Sequence, residues 1–302
     1  MYRFAVLAVL AITSLSGPAT AQDREILGFG RLFTNDFFGD REDRWRSGGY
    51  QFSILHGPEW TGVLPTRPGE ILEYRLRTEI ITPSKGTGPI GDRPYVGALS
   101  AGVHSPFALG PLDASIGIDL TAIGPQTGIS DFQDAFHDVF SLPAPLGTSA
   151  QLENAFLASA TAEMSWPVRV SEQVTLRPFV EAQAGVEDIL RVGGDIIVGT
   201  VAHDDLLLRD ATTGQLIRGI EAPIRGVSVL FGGDWASVGN SEYLPEDQGF
   251  TPEDERFRMR AGLHWQLFEE VSFFYGVTYL SEEFVGQSEG QVVGGLKLNF
   301  NF

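Results

Sequence analysis

The chain has 302 residues and a formal net charge of −18, with 39 acidic residues against 21 lysines and arginines. Such an acidic chain repels phosphates, which argues against nucleic acid as a partner. Cysteine is absent, which excludes disulfides and thiolate sites, and beyond the N-terminus no segment has the ~20 apolar residues of a transmembrane helix.

The first 21 residues have the organisation of a secretory signal peptide. A charged start that includes Arg3 precedes an apolar run over residues 4–12, and Ala19-Thr20-Ala21 forms an A-x-A cleavage site. We therefore expect residues 1–21 to be removed and residues 22–302 to form the mature protein as one domain.

Apolar and polar residues then alternate in successive segments, most clearly near the C-terminus. In the last segment Val292 and Leu296 lie on one face, while Lys297 and Asn299 lie on the other. The alternation predicts twelve β-strands. They lie near 25–35, 48–56, 71–81, 94–104, 113–123, 155–167, 174–185, 189–200, 225–236, 256–268, 271–281 and 290–302.

Soluble sandwiches and outer-membrane barrels both show this alternation, with the apolar face toward a core or toward lipid. Strands of about ten residues, aromatic residues at strand ends and a last strand that ends on Phe302 favour the barrel. The predicted fold is all-β, a transmembrane antiparallel β-barrel of about 12 strands. Connections 36–47, 82–93 and 124–154 then face outside, and 201–224 is interpreted as a long periplasmic connection.

The outer connection 124–154 is predicted to contain a short amphipathic helix, which Ser130 or Asp131 could cap. An apolar stripe recurs at helical spacing: Phe132, Phe136, Val139 and Phe140. Gln133 and His137 are four residues apart, so they share a face beside this stripe. A helix over or into the barrel mouth would place His137 as a general base. The alternative is a loop histidine that packs locally.

Further polar residues in the outer connections are candidates for chemistry. Asn35 and Asp36 carry oxygens that suit Ca²⁺, although both residue types are also common in turns. Ser47 could donate a hydrogen bond to an oxyanion or be a turn residue. Lys85 could stabilise an oxyanion or bind a phosphate, or be a solvated loop lysine.

Other polar residues are interpreted as structural. Arg93 is expected to pair with Asp92 or with a carboxylate inside the barrel, such as Glu73 or Glu79. No G-x-S-x-G, H-E-x-x-H, P-loop or dinucleotide motif is present. The histidines outside the 124–154 connection are also assigned structural roles: His56, His104, His203 and His264.

Several of these segments, in the same order along the chain, resemble the LpxR-type lipid A 3'-O-deacylase family of outer-membrane barrels. The motifs that carry the resemblance are Asn35-Asp36, Asp43-Arg44-x-x-Ser47-x-Gly49, Gly91-Asp92-Arg93-Pro94-Tyr95 and Gly124-Pro125-x-x-Gly128-x-x-x-x-Gln133-x-x-x-His137. The last motif is the most specific. Family members commonly have threonine where Ser47 stands, and the hydroxyl is kept.

The resemblance implies a twelve-stranded barrel and a Ca²⁺-dependent ester hydrolase that removes the 3'-linked acyloxyacyl group of lipid A in the outer leaflet. The implied site residues are His137, Gln133, Ser47 and Lys85 for catalysis, and Asn35 and Asp36 for the metal. In the implied mechanism His137 activates a water, and Gln133 orients either the histidine or the water. Ca²⁺ polarises the ester carbonyl, while Ser47 and Lys85 add donors to the oxyanion.

The partners expected on this basis are lipid A as substrate, the outer membrane and the machinery that inserts barrels, with the protein as a monomer. Two other classes of function remain open from the sequence. One is a different outer-membrane phospholipase or esterase, which substrate profiling would separate. The other is a non-enzymatic barrel, either a channel or an adhesin, in which changing His137 would remove no activity.

Overall fold

The alternating segments fold into antiparallel strands, and the computed structural model describes residues 24–84, 92–141, 143–269 and 271–300. The expected signal peptide and Lys85 lie outside these ranges. The strands of the described residues are Glu25–Asn35 (β1), Trp45–Gly57 (β2), Leu72–Thr82 (β3), Val96–Leu109 (β4), Leu112–Ile123 (β5), Ala155–Ser165 (β6), Val168–Ser171 (β7), Val174–Ala184 (β8), Glu187–Gly199 (β9), Leu206–Arg209 (β10), Leu216–Ile220 (β11), Gly226–Ser241 (β12), Glu255–Gln266 (β13), Val271–Leu280 (β14) and Gln291–Phe300 (β15). The helices are α1, Ile129–Phe140, and the short 3₁₀ segments Asp36–Phe38, Pro125–Thr127, Thr148–Ala150 and Glu246–Gln248.

Twelve of these strands close into one antiparallel barrel. The wall runs β6-β5-β4-β3-β2-β1-β15-β14-β13-β12-β9-β8, and the pairing of β6 with β8 closes the ring. The short β7 pairs with the start of β8. Each of the twelve predicted strands corresponds to one wall strand, so the predicted barrel is confirmed.

The pleat of each wall strand sends alternate side chains inward and outward. In β4 the polar Ser100 and His104 are buried, whereas Leu99 and Val103 are exposed on the outside. An apolar outer surface of this kind is the one that a barrel presents to lipid. No helix within the described ranges is both long and apolar enough to cross a membrane.

The connection between β9 and β12 folds into the barrel, which differs from the predicted periplasmic loop. β10 and β11 pair as a hairpin, and Thr212 at its tip donates a 2.8 Å hydrogen bond to Glu79 Oε1 near the outer end of β3. One buried cluster joins hairpin and wall: Leu206, Leu208, Ile217 and Ile220 with Leu32, Leu55, Ile71 and Phe274. The physical reason is burial, because these apolar side chains would meet water in a periplasmic loop.

Charged side chains fill much of the remaining lumen as ion pairs. Asp234 accepts hydrogen bonds from Arg191 at 2.7 Å, from Arg258 at 3.0 Å and from Arg260 at 2.5 Å. A cavity of about 450 Å³ remains between the hairpin and the wall. The lumen is therefore occupied by a hairpin and by buried charges. The stability of the barrel depends on each of these charges keeping its partners.

Asp234→Asn is expected to destabilise the barrel by about 3–5 kcal/mol, because it leaves three buried guanidinium groups without their shared carboxylate. The free energy of unfolding would be measured in detergent by urea titration, with folded barrel detected by gel mobility. The matched control is Glu172→Gln, which changes an exposed acid in the β7–β8 turn. Equal urea midpoints for the two variants would contradict this account of the lumen.

A second ion cluster crosses the outer mouth and corrects the expectation for Arg93. Arg93 Nη1 lies 2.6 Å from Glu283 Oε2 in the β14–β15 connection, and Arg46 binds the same carboxylate at 2.7 Å. Burial raises the pKa of Glu283, but the guanidinium groups of Arg46, Arg93 and Arg256 outweigh burial and hold this pKa below its ordinary value. Asp92 instead accepts from Trp45 Nε1 at 3.0 Å. The pairing could not be predicted because the partners are 190 residues apart.

Candidate active site on the outer wall

A row of four residues on adjacent strands provides the floor of the candidate site. Asn35 pairs with Gly48, Gly48 with Ile80, and Ile80 with Gly97. One pleat further from the rim, the row on the same face consists of Phe33, Tyr50, Thr78 and Leu99. Because the large side chains of that second row are exposed on the outside, the floor of the site also faces away from the lumen.

The helix α1 packs against this outward face. A Cβ at Gly97 would lie 2.7 Å from the Cβ of Ile129, so glycine is required for the helix to approach the wall this closely. The predicted helix is confirmed, but its position is not the expected one. It lies along the outside of the wall, whereas the sequence was interpreted as placing it over or into the barrel mouth.

The start of α1 also differs from the predicted cap. The N-cap residue is Gly128, at φ 68°, and it makes no side-chain capping bond. Ser130 lies within the first turn, where its Oγ accepts a 3.0 Å hydrogen bond from Gln151 Nε2. Glycine takes the cap because this left-handed backbone conformation disfavours residues that carry a Cβ.

Gln133 and His137 lie together on the face of α1 that packs against the wall. Gln133 is only 5% exposed and His137 only 8%. Gln133 Oε1 accepts a 2.9 Å hydrogen bond from the Tyr95 hydroxyl. His137 Nδ1 lies 2.5 Å from the carbonyl oxygen of Pro143. Since a carbonyl only accepts, Nδ1 carries the proton and Nε2 is the basic nitrogen. Nε2 lies 3.7 Å from Asp43 Oδ2.

The candidate site is a cleft between α1 and the barrel wall. Asn35 and Ser47 lie on its wall side, opposite Gln133 and His137. Asn35 Nδ2 donates a 2.8 Å hydrogen bond to the Ser47 carbonyl, and its Oδ1 accepts one of 2.9 Å from the Phe37 N–H. The hydroxyls of Ser47 and Thr82 lie 2.6 Å apart. A register shift in β2 at Ser47 turns this side chain toward Thr82, as β-bulges commonly do beside sites.

Asp36 is the buried acid of this region, at 4% exposure. Its Oδ2 accepts a 3.1 Å hydrogen bond from the Arg44 N–H. Burial first, and then the negative charges of Asp43 and Asp40, raise the pKa of Asp36 to about 8. The ionised carboxylate is therefore unfavourable here unless a cation offsets its charge.

The donor set fits a hard cation in part. Asp36, Asp40 and Asp43 are oxygen donors of the type that Ca²⁺ prefers. Within the described ranges, however, no three His, Asp or Glu side chains are grouped closely enough to hold a metal by themselves. A calcium ion bound through Asp36 would complete its six to eight oxygen ligands from backbone carbonyls, water and substrate.

Lys85 lies outside the described residues, so its predicted role stays a prediction. Ser84 precedes Lys85 in the chain and Asp92 follows it. Ser84 donates two hydrogen bonds to the Asp92 carboxylate, one of 2.8 Å from its N–H and one of 2.6 Å from its hydroxyl. These bonds join Ser84 and Asp92 in the β3–β4 connection. Ser84 lies two residues after Thr82, whose hydroxyl contacts that of Ser47.

Apolar side chains border the cleft on both sides. One border is the exposed stripe of α1: Phe132, Phe136, Val139 and Phe140. The other is Phe37, which is exposed and packs edge-on against Phe38. The lumen cavity is lined by none of Asn35, Ser47, Gln133 and His137. The cleft therefore opens sideways onto the apolar outer wall.

These features define an outer-membrane β-barrel with a polar cleft built on the outside of its wall. A family model described as outer membrane protein LpxR matches residues 5–302. The chain therefore belongs to the LpxR family of outer-membrane proteins, and the resemblance carried by the separated motifs is confirmed.

Solved structures also match this chain, and one of those named next shares its fold. LpxR from Salmonella typhimurium superposes with a TM-score of 0.76 at 17% sequence identity, over 91% of this chain and 100% of that chain. An outer membrane channel from Pseudomonas putida F1, COG4313, gives a TM-score of 0.47 at 10% identity over 95% and 100% of the two chains. The NanC porin gives 0.44 at 6% identity over 91% and 100%. A search of curated proteins gave no match.

Proposed function

We propose that this protein is a Ca²⁺-dependent lipid A deacylase that hydrolyses the 3'-linked acyloxyacyl ester in the outer leaflet. One observation carries the proposal. His137 is fixed by the Pro143 carbonyl so that its basic Nε2 is available in a cleft on the lipid side of the wall. Membership of the LpxR family supports lipid A as the substrate.

In the proposed reaction, His137 Nε2 accepts a proton from a water molecule whose oxygen attacks the ester carbonyl. The imidazolium that forms is stabilised by Asp43, 3.7 Å away. It then returns the proton to the leaving sugar oxygen as the carbon–oxygen ester bond breaks. The products are a free 3'-hydroxyl on the sugar and the acyloxyacyl chain as a carboxylic acid.

The remaining side chains position the reacting groups. The Tyr95 hydroxyl donates a hydrogen bond to Gln133 Oε1. The amide Nε2 of Gln133 is therefore the group that would donate to the water or to the oxyanion. Thr82 can donate to Ser47 Oγ, which frees the Ser47 proton for the oxyanion. Lys85 is proposed as the second oxyanion donor on the basis of the family resemblance.

Asp36 is the proposed carboxylate ligand of Ca²⁺, with Asn35 as the second protein ligand. The raised pKa of Asp36 supports this assignment, because a nearby cation would offset the buried charge. When bound, the ion would polarise the ester carbonyl and offset the oxyanion charge.

The proposal is tested by the lipid class that the purified protein cleaves. In mixed micelles that contain lipid A and a diacyl phospholipid with Ca²⁺, mass spectrometry should show lipid A without one acyloxyacyl group and intact phospholipid. Cleavage of the phospholipid alone would instead identify another outer-membrane esterase. A protein that cleaves neither lipid but conducts ions in planar bilayers would be a channel, which the filled lumen does not favour.

A further inference from the structure

The helix α1 has three faces of different chemistry, which follow from 3.6 residues per turn. The face on the wall consists of Ile129, Ser130, Gln133 and His137. To one side of it lies an apolar stripe that consists of Phe132, Phe136, Val139 and Phe140. To the other side lies an acidic face that consists of Asp131, Asp134 and Asp138. Only the first of these faces carries residues with a role in the proposed reaction.

The apolar stripe is a continuous exposed surface. Phe132 is 63% exposed, Phe136 45%, Val139 77% and Phe140 61%. The ring centroids of Phe136 and Phe140 lie 4.6 Å apart, and those of Phe132 and Phe136 lie 6.3 Å apart. Three contacting aromatic rings on a surface in water would be unfavourable, and such patches mark a surface that contacts a partner or a membrane.

The wall on which α1 packs belongs to the lipid-facing surface of the barrel. Ile129 packs on Gly97, two residues before the outward-facing Leu99 of β4. The outward residues of the neighbouring β5, among them Ile118 and Leu120, are exposed as well. The stripe is therefore carried by a helix that packs on an apolar outer wall, and the membrane already contacts this wall.

We propose that α1 is a lipid-binding helix that lies in the membrane interface, with its apolar stripe inserted among the acyl chains of the outer leaflet. Its acidic face then points to water, as the polar face of an interfacial helix does. Insertion presses the face with Ile129, Ser130, Gln133 and His137 against the wall and holds Gln133 and His137 over the cleft. The lipid contact itself does not depend on the proposed reaction, so the two can be tested separately.

The absence of cysteine allows a direct test with single labels. Phe136→Cys on the stripe and Asp138→Cys on the acidic face of the same helix would each be labelled with the fluorophore NBD. The labelled proteins would be placed in phosphatidylcholine vesicles that contain lipids with a doxyl quencher on the acyl chain. The label at 136 should be quenched several-fold more strongly than the label at 138, with emission shifted to shorter wavelength.

A second reporter keeps the test decisive if Phe136→Cys disturbs the ring contacts. Val139→Cys changes the most exposed residue of the stripe, which takes part in no ring contact, and should give the same strong quenching. Equal quenching at the stripe and at 138 would overturn the proposal. So would shielding of the stripe labels that appears only at high protein-to-lipid ratio, because a second copy would then cover it. Both readouts are independent of catalytic activity.

Discussion

Substitution of His137 by asparagine is expected to lower the rate of ester hydrolysis by about 10²–10⁴-fold, the usual contribution of a general base. Asparagine places an amide N–H where His137 Nδ1 donates to Pro143, so the contact that positions this residue at the end of α1 is kept. The basic Nε2 is lost. The measurement is the initial rate of acyl release from lipid A by purified, folded barrel.

The control for this prediction is His56, a histidine at the opposite end of strand β2 from the candidate site. His56 lies near the periplasmic end of β2, whereas Ser47 lies near its outer end. His56→Ala should leave the rate within about two-fold, because general acid–base catalysis requires hydrogen-bond reach of the reacting groups. A His137→Asn enzyme that kept the wild-type rate would remove His137 from the mechanism.

Asp36→Asn is expected to abolish both the reaction and the response to Ca²⁺. In the wild type, Ca²⁺ at about 100 times its Kd should raise the free energy of unfolding by about 2.7 kcal/mol, because it binds the folded state alone. The variant should show no increase. Without Ca²⁺ the variant should be as stable as the wild type or more so, since a neutral amide replaces a buried carboxyl whose pKa is raised to about 8.

Unfolding would be followed in detergent with Ca²⁺ and with EDTA. Glu42→Gln is the matched control, because Glu42 is an exposed acid of the same connection and pairs with Arg44. It should keep both the calcium response and the reaction. A calcium-dependent increase in stability that survives in Asp36→Asn would show that the ion binds elsewhere, and would remove Asp36 as its ligand.

The wall of the barrel could be predicted from the sequence because its strands repeat one physical pattern. Alternation fixes which residues face lipid, and the observed strand ends differ from the predicted ones by a few residues. The hairpin of β10 and β11 could not be predicted in the same way. Its strands of four and five residues are short, and their position inside the lumen depends on distant partners such as Phe274.

For the candidate site, the helix that carries Gln133 and His137 could be predicted, but its position on the wall could not. The four-residue spacing of Gln133 and His137 correctly placed both on one face of a helix. Which side of the wall that helix covers depends on Gly97, where the missing side chain makes room for Ile129. Tyr95 and Asp43 belong to the motifs that carry the family resemblance, but no function was predicted for either residue. Their contacts with Gln133 and His137 cross between separate outer connections, so only the folded barrel reveals them.

The central claim is that the outer cleft removes the 3' acyloxyacyl group of lipid A. The most direct test is tandem mass spectrometry of lipid A from cells that make the wild-type protein or His137→Asn, with folded barrel confirmed in both outer membranes. We expect wild-type lipid A to lack the acyloxyacyl group at the 3' position and the variant's lipid A to keep it. Unchanged lipid A with the wild-type protein, both in cells and after detergent extraction with Ca²⁺, would contradict the claim.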